Sequence, residues 1–217
     1  MENSKSKVIF ISVVIVLLIV AVFAGATYAY FAWSVSTSSS GVNGDTYSFD
    51  VTANVINKKL SSALIPFSDE DIGRAISKSN PCVDSKGYDI CNLYEIDVVN
   101  TGSNSENLSG YIETISSTYT TSNLKYQVYS FSNSLYSPVT DVMVLSHESN
   151  SKVYFMKDSA NVSLSIPVNS ASKPSVYYLV VWVSATNSLQ DDEGKVFNGL
   201  IGFESLRGDV VTASFEA

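Results

Sequence analysis

Two hydrophobic patterns divide the chain. From Val8 to Ala29 apolar residues succeed one another with only Ser12, Thr27 and Tyr28 bearing hydroxyls, and no charged residue occurs between Lys7 and Asp45. At about 1.5 Å per residue, a helix over this run is roughly 33 Å long, enough for a hydrocarbon core of about 30 Å. Lys5 and Lys7 keep the N-terminus on the cytoplasmic side, so the run sends the remainder of the chain across the membrane. Beyond it the period drops to two. Tyr47, Phe49, Val51, Ala53 and Val55 alternate with polar partners, as do Tyr94, Ile96 and Val98 with Glu95 and Asp97. Further alternating runs at 108–117, 124–131, 139–145, 153–156, 162–168, 176–185, 196–204 and 210–215 are separated by Ser, Asn, Gly or Pro. Ser68 to Asp71 reads as an N-cap with an acidic first turn, opening a short helix through about Ser77. These patterns predict an all-β, jelly-roll-like antiparallel β-sandwich over 46–217, preceded by an N-terminal hydrophobic signal or transmembrane helix over 1–29. The run 176–183 is apolar on both faces, which predicts a central strand with Trp182 in the core.

Between helix and sandwich, residues 30–35 alternate again, with Phe31, Trp33 and Val35 on one face. The stretch 36–44 (S-T-S-S-S-G-V-N-G) is a flexible polar linker, too poor in apolar groups to order itself. A sticky strand on a tether suits donation to the open sheet edge of another subunit. The same aromatics also suit the interfacial belt beside a retained membrane helix. Both readings remain open on the residues alone.

Small residues at the −3 and −1 positions of a signal-peptidase site occur at Ala24-Gly25-Ala26 and at Thr27-Tyr28-Ala29. The junction Thr27, Tyr28, Ala29, Tyr30, Phe31 resembles that of the TasA/camelysin family of exported biofilm-matrix and cell-surface proteins. That resemblance implies cleavage by a signal peptidase of the SipW type, a jelly-roll β-sandwich, and self-association into oligomers or fibres by passing an N-terminal strand to the next subunit. The segments around Asn100-Thr101-Gly102 and the expected turn Phe197-Asn198-Gly199 extend the resemblance loosely. Ala32-Trp33 stands where family members often carry a small or acidic residue.

The 217 residues carry a net charge of −8, and residues 30–217 hold 11 of the 13 basic and 20 of the 21 acidic side chains. Such a balance argues against nucleic acid as a partner, which calls for clustered Lys and Arg. Cys82 and Cys91 flank a Gly-containing turn, and in an exported chain they read as a disulfide. The rival reading, two thiols on a metal, lacks further Cys or His nearby. The single His, His147, lies in the polar turn Ser146-His147-Glu148-Ser149, with neither a G-x-S-x-G elbow nor a second zinc-ligating His. No catalytic residue is assigned, and no enzyme activity is expected. Asp191, Asp192 and Glu193 offer oxygen ligands for Ca2+, although the EF-hand pattern fails at Leu189; a solvated hairpin loop is the competing reading, and no other cofactor is expected.

Two functions fit these residues. One is an exported structural subunit, secreted or on the cell surface, assembling through Phe31, Trp33 and Val35. The other is a membrane-tethered extracytoplasmic module binding cell-wall glycan or protein.

Overall fold

The computed structural model describes residues 49–61, 63–77, 79–186 and 194–217. The N-terminal helix, the junction Thr27 to Tyr30, the strand bearing Phe31, Trp33 and Val35, and the loop bearing Asp191, Asp192 and Glu193 lie outside the described residues. Among the described residues no helix is long and apolar enough to cross a membrane.

The elements are β1 (Val51–Lys59), α1 (Ile72–Ile76), β2 (Asn92–Asn100), β3 (Glu106–Ser117), β4 (Leu124–Ser132), β5 (Leu135–Pro138), β6 (Met143–Val144), β7 (Lys152–Tyr154), β8 (Met156–Lys157), β9 (Ala160–Asn161), β10 (Ser163–Ile166), β11 (Ser175–Val183), β12 (Phe197–Ser205) and β13 (Val210–Glu216). The first sheet runs β1-β2-β11-β4-β5, with β6 also on β4. The second runs β10-β3-β12-β13, with β7 also on β3, and β8-β9 form a small ribbon. The ladders between these strands are antiparallel. The steps from β2 to β3, β3 to β4, β10 to β11 and β11 to β12 each cross between sheets, giving a jelly-roll-like sandwich.

Alternation supplies the core. Tyr94, Ile96 and Val98 of β2 and Leu179, Val181 and Val183 of β11 meet Leu108 and Ile112 of β3 and Phe197, Ile201 and Phe203 of β12. The buried Asn100 amide ends β2, accepting from Gly102 N at 3.0 Å and donating to Asn104 O and Ile166 O at 2.9 and 3.1 Å.

The first sheet is also covered on its outer face, over one half. The connection from β1 to β2 folds back there and brings Ile72, Ala75 and Ile76 of α1 and the Cys82–Cys91 disulfide onto Leu93, Tyr129, Val180 and Trp182. This second apolar layer explains why β11 is apolar on both faces. Asp84 shapes the cysteine loop, accepting from Lys86 N at 2.8 Å and Tyr88 N at 2.9 Å, and Gly87 supplies a φ of +91°. In the chain-entropy picture, closing this loop contributes about 2.5–3 kcal/mol.

Two local expectations are corrected. The helix begins after Asp71, whose side chain makes no capping bond, and its first turn holds no acid. Asp69 instead accepts from the Trp182 indole at 2.9 Å and pairs with Lys125. A buried indole N–H requires an acceptor, and that demand takes Asp69 away from the helix terminus. Phe197-Asn198-Gly199 is not a turn but the start of β12. A Cβ on Gly199 would fall 2.6 Å from the Phe197 ring and 3.2 Å from Glu113 O, so the glycine answers close packing rather than reversal.

Burial raises the pKa of Asp69, while hydrogen bonds from Lys125, Trp182 and Ser184 outweigh it and hold the carboxyl below its ordinary value of 3.8. With the folded value depressed, its stabilisation is present above about pH 4 and is lost as pH falls through the folded value. Asp69→Ala, which strands the indole N–H and Lys125, is expected to cost about 2 kcal/mol in urea denaturation at neutral pH. The gap from wild type should narrow in strong acid; a variant as stable as wild type at neutral pH would contradict this account.

Candidate functional site

The cover on the first sheet stops partway, and beyond it lies a face of aromatic and acidic side chains. Residues at alternate positions of β2 point outward, so Glu95 and Asp97 share this face, and the register sets Tyr178 beside Glu95 and Val176 beside Asp97. Tyr178 in turn faces Tyr129 of β4. The hairpin from β4 to β5 turns through Asn133 and Ser134 at φ of +52° and +62°, which sets Tyr136 opposite Phe131. Four strands, β2, β11, β4 and β5, thus contribute to one face, the last three supplying its rings.

Its rings pack edge to face or tilted, with centroids 4.8 Å apart for Phe131 and Tyr136, 5.1 Å for Tyr136 and Tyr178, 6.0 Å for Phe131 and Tyr178, and 6.4 Å for Tyr129 and Tyr136. Phe131 stays 45% exposed and the neighbouring Leu135 67%, while Tyr136 and Tyr178 are half-buried and Tyr129 is buried. The Tyr178 hydroxyl donates to Glu95 Oε2 at 2.7 Å, and Lys58 Nζ pairs with Glu95 Oε1 at 3.0 Å. Glu95 is therefore satisfied on both oxygens.

Asp97 differs. Its Oδ1 is shielded from solvent and accepts no hydrogen bond. Burial, then the charge of Glu95, push its pKa above the ordinary carboxylate value, partly offset by Lys58. Burial, and after it the bond to Glu95, likewise hold Tyr178 in its neutral form. Tyr129 is pushed up to about 12 by burial. The face therefore carries mutually tilted rings, neutral phenols and one carboxylate whose unpartnered oxygen is sealed from solvent.

A second feature is the distribution of sheet edges. The strands β5 and β10 have four residues each and β6 and β7 two and three, short edges of the kind that resist further pairing. β1 and β13 have nine and seven, close both sheets along one flank, and have outer edges that pair with no strand among the described residues. β1 carries a register shift and Lys58 and Lys59 at one end, leaving 51–57 regular. The Tyr94 hydroxyl bonds the Glu216 carbonyl and its ring meets Phe215 at 5.3 Å, which pins β13 beside β2.

Cys82 and Cys91 are bonded to each other and fully buried. His147 is exposed in its turn, and Trp182 is completely buried, so it offers no stacking surface. Among the described residues no three His, Cys, Asp or Glu groups converge on a metal position. The aromatic face is not evident from the sequence; the signals present there are Phe131, Tyr136 and Tyr178 on three separate segments, which only the register unites.

No protein-family model matches the chain, and no curated protein matches it. Among solved structures, the sporulation control protein Spo0M of Bacillus subtilis aligns at 6% identity and a TM-score of 0.34, over 77% of this chain and 48% of that one. The chain thus spans about half the length of Spo0M. AvmM, described as catalysing macrocyclization in alchivemycin A biosynthesis, aligns at 11% identity and a TM-score of 0.31, over 80% of this chain and 95% of that one. ACE19, the collagen-binding subdomain of the Enterococcus faecalis surface protein ACE, aligns at 9% identity and a TM-score of 0.20, over 60% and 87%. At these TM-scores the likenesses carry neither a fold assignment nor an activity across to this chain.

An acid whose folded pKa is raised costs stability above its unfolded value, near 3.8 for Asp97, and that cost vanishes as pH falls below it. Asp97→Asn is expected to raise the urea midpoint at neutral pH, the gain in unfolding free energy being less than about 1 kcal/mol for a group only partly shielded from water, with no gain in strong acid. A lowered midpoint at neutral pH would show that Asp97 supports the fold.

Proposed function

We propose that this chain is an exported structural subunit of a cell surface or extracellular matrix, similar in role to the TasA/camelysin family, that self-associates by strand addition and performs no catalytic step. The observation that carries the reading is the pair of long outer edges on β1 and β13, in a sandwich whose other edges are short. A strand over residues 30–35 has the length to pair along either, its backbone supplying the affinity and Phe31, Trp33 and Val35 entering alternate pockets. Export supplies the oxidising compartment in which Cys82 and Cys91 join. Signal peptidase acts at the Thr27 to Tyr30 junction; where it does not, the helix anchors the chain in the membrane. Any Ca2+ role of Asp191, Asp192 and Glu193 belongs to the same surface setting.

The aromatic and acidic face of the first sheet favours a second reading, a surface module that binds a glycan. Partly exposed rings edged by hydroxyl and carboxyl groups offer a ligand apolar and hydrogen-bonding contacts together. The two readings use different surfaces of one molecule.

Trp33→Asp is expected to abolish assembly of the secreted protein, with the assembled fraction falling by more than about tenfold, because burying an unpaired carboxylate in an apolar pocket costs several kcal/mol. Sedimentation and electron microscopy check assembly, and circular dichroism checks that the sandwich remains folded. Fibres or oligomers at the wild-type level would contradict strand addition.

A further inference from the structure

We propose that the outer edge of β13 pairs antiparallel with the same edge of a second copy of this chain, about a twofold axis at Thr212. The contact is separate from strand addition by residues 30–35 and leaves the β1 edge to that strand.

Three observations converge. The first is the direction of the backbone groups. Phe197 N donates to Ala217 O at 2.7 Å and Ala217 N returns to Phe197 O at 2.8 Å, and from there the β12–β13 ladder runs without a register shift to Glu204 and Val210. Backbone groups along an antiparallel strand alternate in direction, so Val211, Ala213 and Phe215 bond β12, while Val210, Thr212, Ser214 and Glu216 turn theirs outward. The Glu216 carbonyl is taken by the Tyr94 hydroxyl. Val210, Thr212 and Ser214 therefore remain open, and among the described residues no strand lies hydrogen-bonded beside them.

The second is self-complementarity. With the axis at Thr212, Val210 meets Ser214 of the second copy and Thr212 meets its own equivalent, so every open residue faces another and each pair exchanges two hydrogen bonds. Moving the axis one residue toward Phe215 calls on Glu216, whose carbonyl is occupied. Moving it one residue toward Val210 sets Ser214 against Gly208, in the turn at a φ of +88°. The third is the absence of edge protection. β1 ends in Lys58 and Lys59 beside a register shift, whereas Val210 to Phe215 holds no charge, no proline and no shift. Val211 and Ala213, half-buried against the core, lie opposite one another between the copies and gain cover. In this register Asp209 and Glu216 do not oppose each other, a placement that like charges would disfavour. An edge that matches itself in direction, register and charge points to a second copy.

The test uses the full secreted chain carrying Trp33→Asp, so that strand addition does not contribute, with the wild-type chain beside it. Light scattering over a concentration series is expected to show a monomer–dimer equilibrium in the Trp33→Asp chain. Thr212→Lys, at an exposed position whose N–H points away from β12, sets two ammonium groups opposite one another. It is expected to weaken dimerisation by about tenfold with an unchanged circular dichroism spectrum. Thr212→Cys, treated with a short bismaleimide, is expected to give at least about tenfold more covalent dimer than Ser214→Cys. The 212 positions adjoin across the axis, whereas the 214 positions lie about 14 Å apart along the strands. A chain that stays monomeric at every concentration, equal cross-linking at the two positions, or dimerisation of Thr212→Lys at the level of its parent would each overturn the proposal. Cross-linking present in Trp33→Asp and lost in the wild-type chain would give the β13 edge to residues 30–35 and overturn it for the native protein. None of these results removes strand addition, which has β1 as its alternative edge and is judged by its own assembly assay.

Discussion

The structure turns on the contact of Trp182 with Asp69. The indole lies wholly inside, on the outer side of the first sheet, where a sandwich strand ordinarily meets water. Its N–H has to find an acceptor there, and Asp69 provides one while pairing with Lys125 on the neighbouring strand. That arrangement fixes the connection between β1 and β2 against the sheet. Backbone bonds extend it, Phe67 N to Val183 O at 2.9 Å and Ala185 N to Phe67 O at 2.8 Å. The disulfide and the three apolar residues of α1 then complete a second apolar layer. The central strand β11 is consequently buried on both faces at this end, and a short connection gives the sandwich an extra layer of packing.

Covering one half of a sheet defines the other half. The connection covers as far as Tyr129 and the edge of Tyr136 and Tyr178, and past that line the alternation of β2, β11 and β4 continues through Asp97, Val176 and Phe131. Side chains that would otherwise be an ordinary solvated face become a bounded patch: rings on one side, Glu95 and Asp97 on the other. The same logic applies at the edges. Short strands finish the other corners, while β1 and β13 keep lengths that an added strand can use. The long edges and the aromatic face therefore occupy separate parts of the sandwich.

The fold class was legible because alternation in β2, β11 and β12 is clean and because turn residues punctuate it. The double burial of β11 was legible from Val176 to Val183, and the cysteine pair from its spacing around Gly87. The features that stayed hidden depend on partners distant in sequence. Asp69 looks like a helix-capping acid until Trp182 is placed 2.9 Å from it. Asn198-Gly199 has the composition of a turn, yet Gly199 is there because the Phe197 ring and the Glu113 carbonyl leave no room for a Cβ. The hairpin at Asn133 and Ser134 gives little signal because Ser134 is an unusual residue for a left-handed position. The aromatic face was invisible for a related reason: a single-residue change of register in any of three ladders would have sent Phe131, Tyr136 or Tyr178 to opposite sides.

Hydrogen exchange on the secreted protein, compared between its monomeric and assembled states, tests the central claim most directly. Strand addition predicts that amides along one outer edge, in 51–57 of β1 or in 210–216 of β13, pass from fast exchange to protection on assembly, together with those of 30–35. Protection confined to side-chain-contact faces, with both outer edges exchanging as fast in the assembly as in the monomer, would contradict it.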